Sequence, residues 1–164
     1  MDKRSIGLIF LVLVSVGLAL GCVGDGAQTK ASAGPVSATW IEPEVADGCC
    51  IAIPVQAVDE NTNTHFRLNT AVGEMAVMAY RLGDDVIVRS NACPPCGSIG
   101  FTLDENVLVC DSCGTTFDAE TGLGIQGSCV DYPKESIPYT EDGGNIVMGI
   151  GDIATAHMNT VQRG

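Results

Sequence analysis

Two short motifs, at residues 93–97 and 110–114, place cysteines at a spacing that suits metal binding, and both read C-x-x-C-G. A tight turn lets the two sulfurs of a C-x-x-C pair reach one metal. The glycine that follows permits a positive φ and turns backbone amides towards the sulfurs. Four thiolates suit zinc, iron or an iron–sulfur cluster. The spacing therefore predicts one metal centre, formed by Cys93, Cys96, Cys110 and Cys113.

The segment between the two pairs predicts how they meet. Residues 99–103 and 107–109 are largely apolar and flank the polar residues 104–106. This pattern is typical of a β-hairpin with a three-residue turn. Such a hairpin would return the second cysteine pair to the neighbourhood of the first.

The rest of the chain reads mainly as short strands separated by turns at intervals of about ten residues. Strands are predicted at 49–55, 65–70, 74–81, 86–89 and 146–150, and Asp152 could cap a short helix from 153 to about 161. No helix alternates with the strands, so a thioredoxin-type unit is missing. We expect a mostly β fold, a small antiparallel sandwich or barrel that carries the metal-binding hairpin and a short C-terminal helix.

The N-terminus has the pattern of an export signal. Lys3 and Arg4 precede an apolar stretch at 6–20, and residues 19–22 resemble a lipobox that ends in Cys22. We expect residues 1–21 to be a signal peptide or a membrane anchor. Residues 22–35 are a flexible tether, and 36–164 form a single domain. With Cys22 lipidated, or with an uncleaved anchor, the domain is extracytoplasmic and attached to the cell membrane.

The charge of the chain excludes one class of partner. Twenty acidic residues against eight basic ones give a net charge of −12. A nucleic-acid-binding protein needs a basic footprint, so nucleic acid is excluded. An acidic surface could steer a basic redox partner, although solubility is the simpler interpretation.

The remaining cysteines and the histidines have weaker patterns. Cys49 and Cys50 are adjacent, and neighbouring residues of a strand point to opposite faces, so they are not expected to bind one metal together. A disulfide from one of them to Cys129 stays open. His65 and His157 are interpreted as structural rather than as ligands. No catalytic constellation stands out, which favours an electron carrier over a catalyst.

From about Cys50 onwards the chain resembles the membrane iron–sulfur-containing (FtrD-like) family. The resemblance rests on residues 51–55, the two cysteine pairs, the sequence Gly-Ser-Cys at 127–129 and the nearby Pro133. It implies an iron–sulfur centre in the extracytoplasmic domain of a membrane protein, an association with iron uptake, and Cys129 as an additional participant at the site.

A more distant likeness links residues 110–118, with Thr121 and Gly122 after them, to the second cluster loop of Rieske proteins. In that family two histidines ligate one iron, whereas cysteines stand at the corresponding positions here. The likeness implies an all-thiolate cluster of low potential, near the range of plant-type ferredoxins.

These observations predict an extracytoplasmic, membrane-tethered iron–sulfur protein that relays electrons. Its partner would be a redox protein or a membrane complex, in a redox or metal-uptake system. Two alternatives remain open. One is a structural zinc-ribbon interaction domain of a surface lipoprotein, and the other is a protein that handles iron or copper.

Overall fold

The structure is a computed structural model, and it describes residues 34–46, 48–70 and 73–162. The predicted signal peptide or anchor at 1–21, the lipidation site Cys22 and most of the predicted tether at 22–35 lie outside these ranges. Within them, no helix combines the length and the apolar character needed to cross a bilayer.

The described ranges contain short strands and two helices. In chain order they are β1 (Thr39–Trp40), β2 (Glu44–Ala46), β3 (Cys50–Pro54), α1 (Val55–Asn61), β4 (Asn63–Thr70), β5 (Gly73–Leu82), β6 (Asp85–Ser90), β7 (Phe101–Asp104), β8 (Val107–Cys110), β9 (Thr116–Asp118), β10 (Gly124–Gln126), β11 (Thr140–Asp142), β12 (Asn145–Gly149) and α2 (Ile150–Gln162).

The strands form three four-stranded sheets with the orders β1-β4-β5-β6, β10-β9-β8-β7 and β11-β12-β3-β2. We call the second one the cysteine sheet, because the hairpin β7–β8 belongs to it. Strands β1 and β4 pair in parallel, and the other paired strands are antiparallel. The prediction of a mostly β, antiparallel fold is confirmed. All three sheets of the described residues are open, so the fold is not a closed barrel.

Strand β5 is buried on both faces and lies between two apolar cores. Val77 and Ala79 point into a core that the third sheet and α2 complete. Met78 and Tyr80 point into a second core, which contains Phe101 and several cysteines. Side chains alternate between the faces of a strand, so a run of apolar residues is what a strand covered on both sides requires. The second core therefore places the cysteine sheet directly against β5.

The predicted hairpin is present, but its turn is shorter than expected. Asp104 pairs with Val107, which leaves only Glu105 and Asn106 in the turn. Glu105 adopts a φ of 52°, as tight two-residue hairpin turns demand. The three-residue turn predicted from polarity was wrong because Asp104, although polar, is still part of the strand.

Both helices also differ from the sequence prediction. The strand predicted through residue 55 ends at Pro54, and α1 follows where a turn was expected. This single short helix buries Val58 alone, so it has too few apolar positions to show a helical period. At the C-terminus, α2 begins at Ile150, and Asp152 lies in its first turn instead of capping it.

The N-terminal stretch of the described residues is attached to two sheets. Val36 exchanges two backbone hydrogen bonds with Leu103 of β7, at N···O distances of 2.7 and 2.9 Å. The amide of Ile41 then donates to the carbonyl of His65, next to the short parallel pairing of β1 with β4.

Candidate metal centre

The first cysteine pair forms a tight turn closed by its own backbone. The amides of Cys96 and Gly97 donate to the carbonyl of Cys93 at 3.2 and 2.9 Å, and the Cys93 amide donates to Ser98 at 2.8 Å. Gly97 takes a φ of 69°, the left-handed conformation that glycine adopts without strain. This turn directs the side chains of Cys93 and Cys96 to the same side.

The second pair repeats this geometry at the end of β8. The amide of Gly114 donates to the Cys110 carbonyl at 2.9 Å, and Gly114 has a φ of 67°. Cys110 pairs across the hairpin with Phe101, so the ladder between β7 and β8 ends beside the first turn. The hairpin predicted to bring the two pairs together does so.

The four predicted ligand sulfurs converge. The Sγ atoms of Cys93, Cys96, Cys110 and Cys113 all lie within 4.8 Å of one another. Cys93 and Cys110 are buried, Cys96 is half-buried and Cys113 is exposed. None of the seven cysteines in the described part of the chain takes part in a disulfide. The site thus has an inner side within the second core and an outer side at the surface.

The thiols of this site differ in acidity. Burial raises the pKa of both Cys93 and Cys110. Cys113, in contrast, has a pKa lowered to about 6, first by the side-chain hydroxyl of Thr115 and then by the Thr115 backbone. A metal that replaces the protons of the two buried thiols removes the penalty of holding charge there unpaired.

Thr115 connects the second turn to Cys129. Its Oγ1 lies 3.2 Å from the Cys113 sulfur and accepts a hydrogen bond of 3.2 Å from the Cys129 amide. The Cys129 side chain is buried, and its sulfur lies 3.8 Å from that of Cys113. The backbone of Gly127 passes so near that an added Cβ would stand 2.5 Å from the Thr115 hydroxyl. Cys129 is therefore a buried neighbour of the four-sulfur group, next to Cys113.

A buried lysine that the sequence did not single out lies behind the site. Lys134 is 1% exposed, and its Nζ donates to the carbonyl of Ala92, the residue before Cys93, at 2.6 Å. Its backbone amide donates to Gly122. An added Cβ on Gly122 would stand 2.2 Å from the Lys134 carbonyl, so the segments approach at a distance that only glycine permits. The sequence contains no signal for the burial of Lys134, because a buried lysine and an exposed one cannot be told apart by residue type.

The other cysteines and the histidines lie outside the four-sulfur group. The sulfurs of Cys49 and Cys50 are 3.0 Å apart, so the prediction that they point to opposite faces was wrong. Cys49 precedes β3 and follows Gly48, whose φ of 70° breaks the strand alternation. His65 is fully buried between two asparagine side chains, and burial lowers its pKa to about 4. His157 lies on α2 as predicted.

A protein family accounts for most of the described chain. Residues 58–159 match the family described as "Membrane iron-sulfur containing protein FtrD-like". The chain belongs to this family. The resemblance inferred from the cysteine pairs and the Gly-Ser-Cys sequence is therefore confirmed. No curated protein matches the chain.

Several solved structures are similar to part of this chain. A ferredoxin of Sphingomonas yanoikuyae B1 is 24% identical, with a TM-score of 0.41, over 45% of this chain and 74% of the ferredoxin. A ferredoxin of carbazole 1,9a-dioxygenase from Nocardioides aromaticivorans IC177 is 23% identical, with a TM-score of 0.42, over 60% and 96%. A chain in a complex of reduced oxygenase and oxidized ferredoxin in carbazole 1,9a-dioxygenase is 22% identical, with a TM-score of 0.47, over 60% and 92%.

The donor set fits the cofactor that the family description names. Four convergent thiols, with no carboxylate or imidazole in the group, are the ligands that iron–sulfur clusters use. The cofactor of this FtrD-like protein is accordingly an iron–sulfur cluster. A positive-φ glycine follows each pair. At the second pair, backbone hydrogen bonds reach the sulfurs of Cys110 and Cys113, where they can influence the centre.

Proposed function

We propose that this protein is an extracytoplasmic, membrane-tethered electron carrier whose cluster is held by Cys93, Cys96, Cys110 and Cys113. An iron–sulfur cluster bound there supplies one-electron redox chemistry. The chain provides the thiolates, a largely water-free inner side and an exposed outer side at Cys113. The observation that carries the proposal is the convergence of the four sulfurs within 4.8 Å in a member of an iron–sulfur family.

The exposed side of the centre favours electron exchange with another macromolecule. Cys113 is exposed, whereas Cys93 and Cys110 are buried, so an electron would leave through the second turn. The partner would be a redox protein or a membrane complex of a respiratory or metal-uptake system.

The attachment of the protein rests on its first residues. The basic n-region, the apolar stretch and the lipobox-like sequence at 19–22 support export and lipidation of Cys22, and the family description names a membrane protein. Residues 22–35 would then connect the lipid to a domain at 36–164. Cys129 would take part at the edge of the site without being one of the four ligands.

A zinc-stabilised interaction domain is the second candidate function, and one observation favours it. Tetrahedral Zn–S bonds of about 2.3 Å place sulfurs about 3.8 Å apart. The Cys96 and Cys110 sulfurs are 3.7 Å apart, which also suits a single zinc ion. A protein that handles iron or copper would use the same thiols, but its metal would leave reversibly.

Anaerobic purification followed by metal and acid-labile sulfide analysis tests the proposal. We expect a coloured protein with iron and sulfide in similar amounts and, after reduction, a spin-resonance signal. A colourless protein with one zinc per chain and no sulfide would overturn it in favour of the interaction domain. Iron that a chelator removes reversibly, with no sulfide released, would point to metal handling instead.

A further inference from the structure

Lys134 is a cation enclosed in the second core. Its side chain is 1% exposed, and the ammonium lies 4.3 Å from the centre of the Phe117 ring and 5.2 Å from that of Phe101. The ammonium donates a hydrogen bond to the Ala92 carbonyl, which leaves the charge itself uncompensated. Aromatic faces and one carbonyl offset only part of the cost of burying an ammonium group.

No carboxylate pairs with this ammonium in the part of the chain that the structure describes. Ion pairs at the surface join Arg67 to Glu74 and Arg81 to Asp59. This is notable in a chain with twenty acidic residues. A buried charge without a counter-ion is among the most destabilising features a core can contain, so its partner should lie nearby.

The groups that can supply the opposite charge are the sulfurs of the metal centre. The ammonium of Lys134 lies against Phe101 and Phe117, which belong to the same core as Cys93, Cys110 and Cys129. It is also bonded to the carbonyl one residue before Cys93. Burial lowers the pKa of Lys134, while negative charge on Cys93, Cys110, Cys129 and Cys96 acts in the opposite direction, in that order. The cation therefore faces the inner, buried side of the four-sulfur group.

The backbone around Lys134 fixes where the charge sits. Its amide donates to Gly122 at 2.8 Å, and its carbonyl accepts from Arg89 Nη1 at 2.8 Å. Arg89 also donates from Nε to the Tyr80 hydroxyl, and Tyr80 donates to Ala119 at 2.6 Å. These contacts hold Lys134 from both sides, so its ammonium is a fixed charge and not a mobile one.

We propose that Lys134 is the buried counter-charge of the four-thiolate centre and raises its reduction potential. It is a positioning residue and not a ligand. Reduction takes one electron from a redox partner and adds one negative charge to the site. A fixed cation in a region of low dielectric constant favours that added charge. The inference rests on the proposed electron-transfer function and adds to it the residue that sets the operating potential.

Neutral variants of Lys134 test the inference. We expect Lys134→Met and Lys134→Gln to bind the cluster and to have midpoint potentials clearly below that of the wild type. Anaerobic redox titration, followed by visible absorbance and spin resonance, measures this shift. Lys134→Arg keeps the charge and should restore the potential. Arg67→Gln removes one cation at the surface and should leave it unchanged.

The results separate this inference from the proposed function. If the wild type contains zinc and no iron, the electron-transfer function fails. The effect of the Lys134 charge is then measured as the change in zinc affinity between the wild type and the variant, in competition with a chelator. We expect about a tenfold loss in Lys134→Met, equivalent to about 1.4 kcal/mol. Loaded neutral variants with the wild-type potential, an unchanged zinc affinity, or failure of both neutral variants to fold would each overturn the inference.

Discussion

At the scale of single residues, the four cysteines proposed as ligands and Cys129 should behave differently when replaced. Cys110 is buried at the end of β8 within the four-sulfur group, whereas Cys129 lies only beside it. We expect Cys110→Ser to lose the bound metal almost completely and Cys129→Ser to retain it. Metal per folded chain, with folding checked by circular dichroism, measures both variants. Equal loss in the two would make Cys129 a ligand.

The hydroxyl of Thr115 should control the acidity of Cys113. Hydrogen bonds to a thiolate favour its charged form, so removing this one raises the pKa of Cys113 from its lowered value of about 6. In the metal-free protein, Thr115→Val should slow alkylation of Cys113 at pH 5 by roughly tenfold, because one unit of pKa changes the thiolate fraction about tenfold at a pH below both pKa values. Mass spectrometry of the Cys113 peptide gives the rate as a function of pH.

A neighbouring threonine provides the control for this experiment. Thr116 follows in β9, and its hydroxyl donates to the Gln126 carbonyl instead of approaching a sulfur. Thr116→Val should leave the pH profile of Cys113 in place, with its midpoint near pH 6. A similar displacement of the profile in both variants would mean that the hydroxyl of Thr115 has no special role.

The sequence predicted the convergence of the four cysteines but not their surroundings. The C-x-x-C-G pattern is local, so its turn geometry follows from a few adjacent residues. The burial of Lys134 depends instead on Gly122 and Arg89, which are 12 and 45 positions away along the chain. Nothing near Lys134 in sequence records those contacts. The same holds for Thr115, whose partner Cys129 belongs to a later segment.

At the scale of elements, the approach of two loops should make Gly122 difficult to replace. Gly122 and Gly83 both adopt positive φ angles, of 77° and 64°. A Cβ on Gly83 would meet nothing within 4 Å, whereas one on Gly122 would clash with the Lys134 carbonyl. We expect Gly83→Ala to cost about 1 kcal/mol of unfolding free energy, from conformation alone. Gly122→Ala should cost about 1–3 kcal/mol more, from the clash.

Urea unfolding of the two variants separates these contributions. The pair is matched in substitution and in backbone conformation, so the difference between them isolates the close approach. Gly122→Ala should also alter the reduction potential, because the displaced loop carries Lys134. Equal costs in the two variants would show that the loop moves aside without strain.

The elements were predicted where periodicity is strong and missed where it is weak. The hairpin β7–β8 has two apolar strands around a polar turn, and both strands were recognised. Helix α1 buries only Val58, so its sequence contains no helical pattern to find. The two-sided burial of β5 was visible only as an apolar run, because the sequence cannot tell which two layers cover a strand.

At the scale of the whole molecule, attachment to the membrane should depend on Cys22. If the lipobox-like sequence at 19–22 is processed, Cys22 bears the lipid and becomes the first residue of the mature protein. We expect Cys22→Ser in the full chain to abolish incorporation of a labelled fatty acid and to leave the signal uncleaved. Metabolic labelling and the mass of the N-terminal peptide measure both effects.

A second cysteine variant provides the control for the lipidation experiment. Cys49 is exposed and lies outside the four-sulfur group, so Cys49→Ser should keep normal labelling and processing. A wild-type protein that takes up no fatty acid and keeps residues 1–21 would contradict lipidation and support an uncleaved anchor.

The backbone bonds between Val36 and Leu103 have a mechanical consequence if the protein is held by its N-terminus, as proposed above. A pull on that end loads these two bonds first and then the short pairing of β1 with β4. Bonds loaded one after another separate at lower force than a ladder sheared all at once. Once these bonds break, the detached chain can extend by about 3.3–3.6 Å per residue. Under such a pull the stretch before β2 would detach first. The ladder between β7 and β8 would stay intact and keep the two cysteine pairs together.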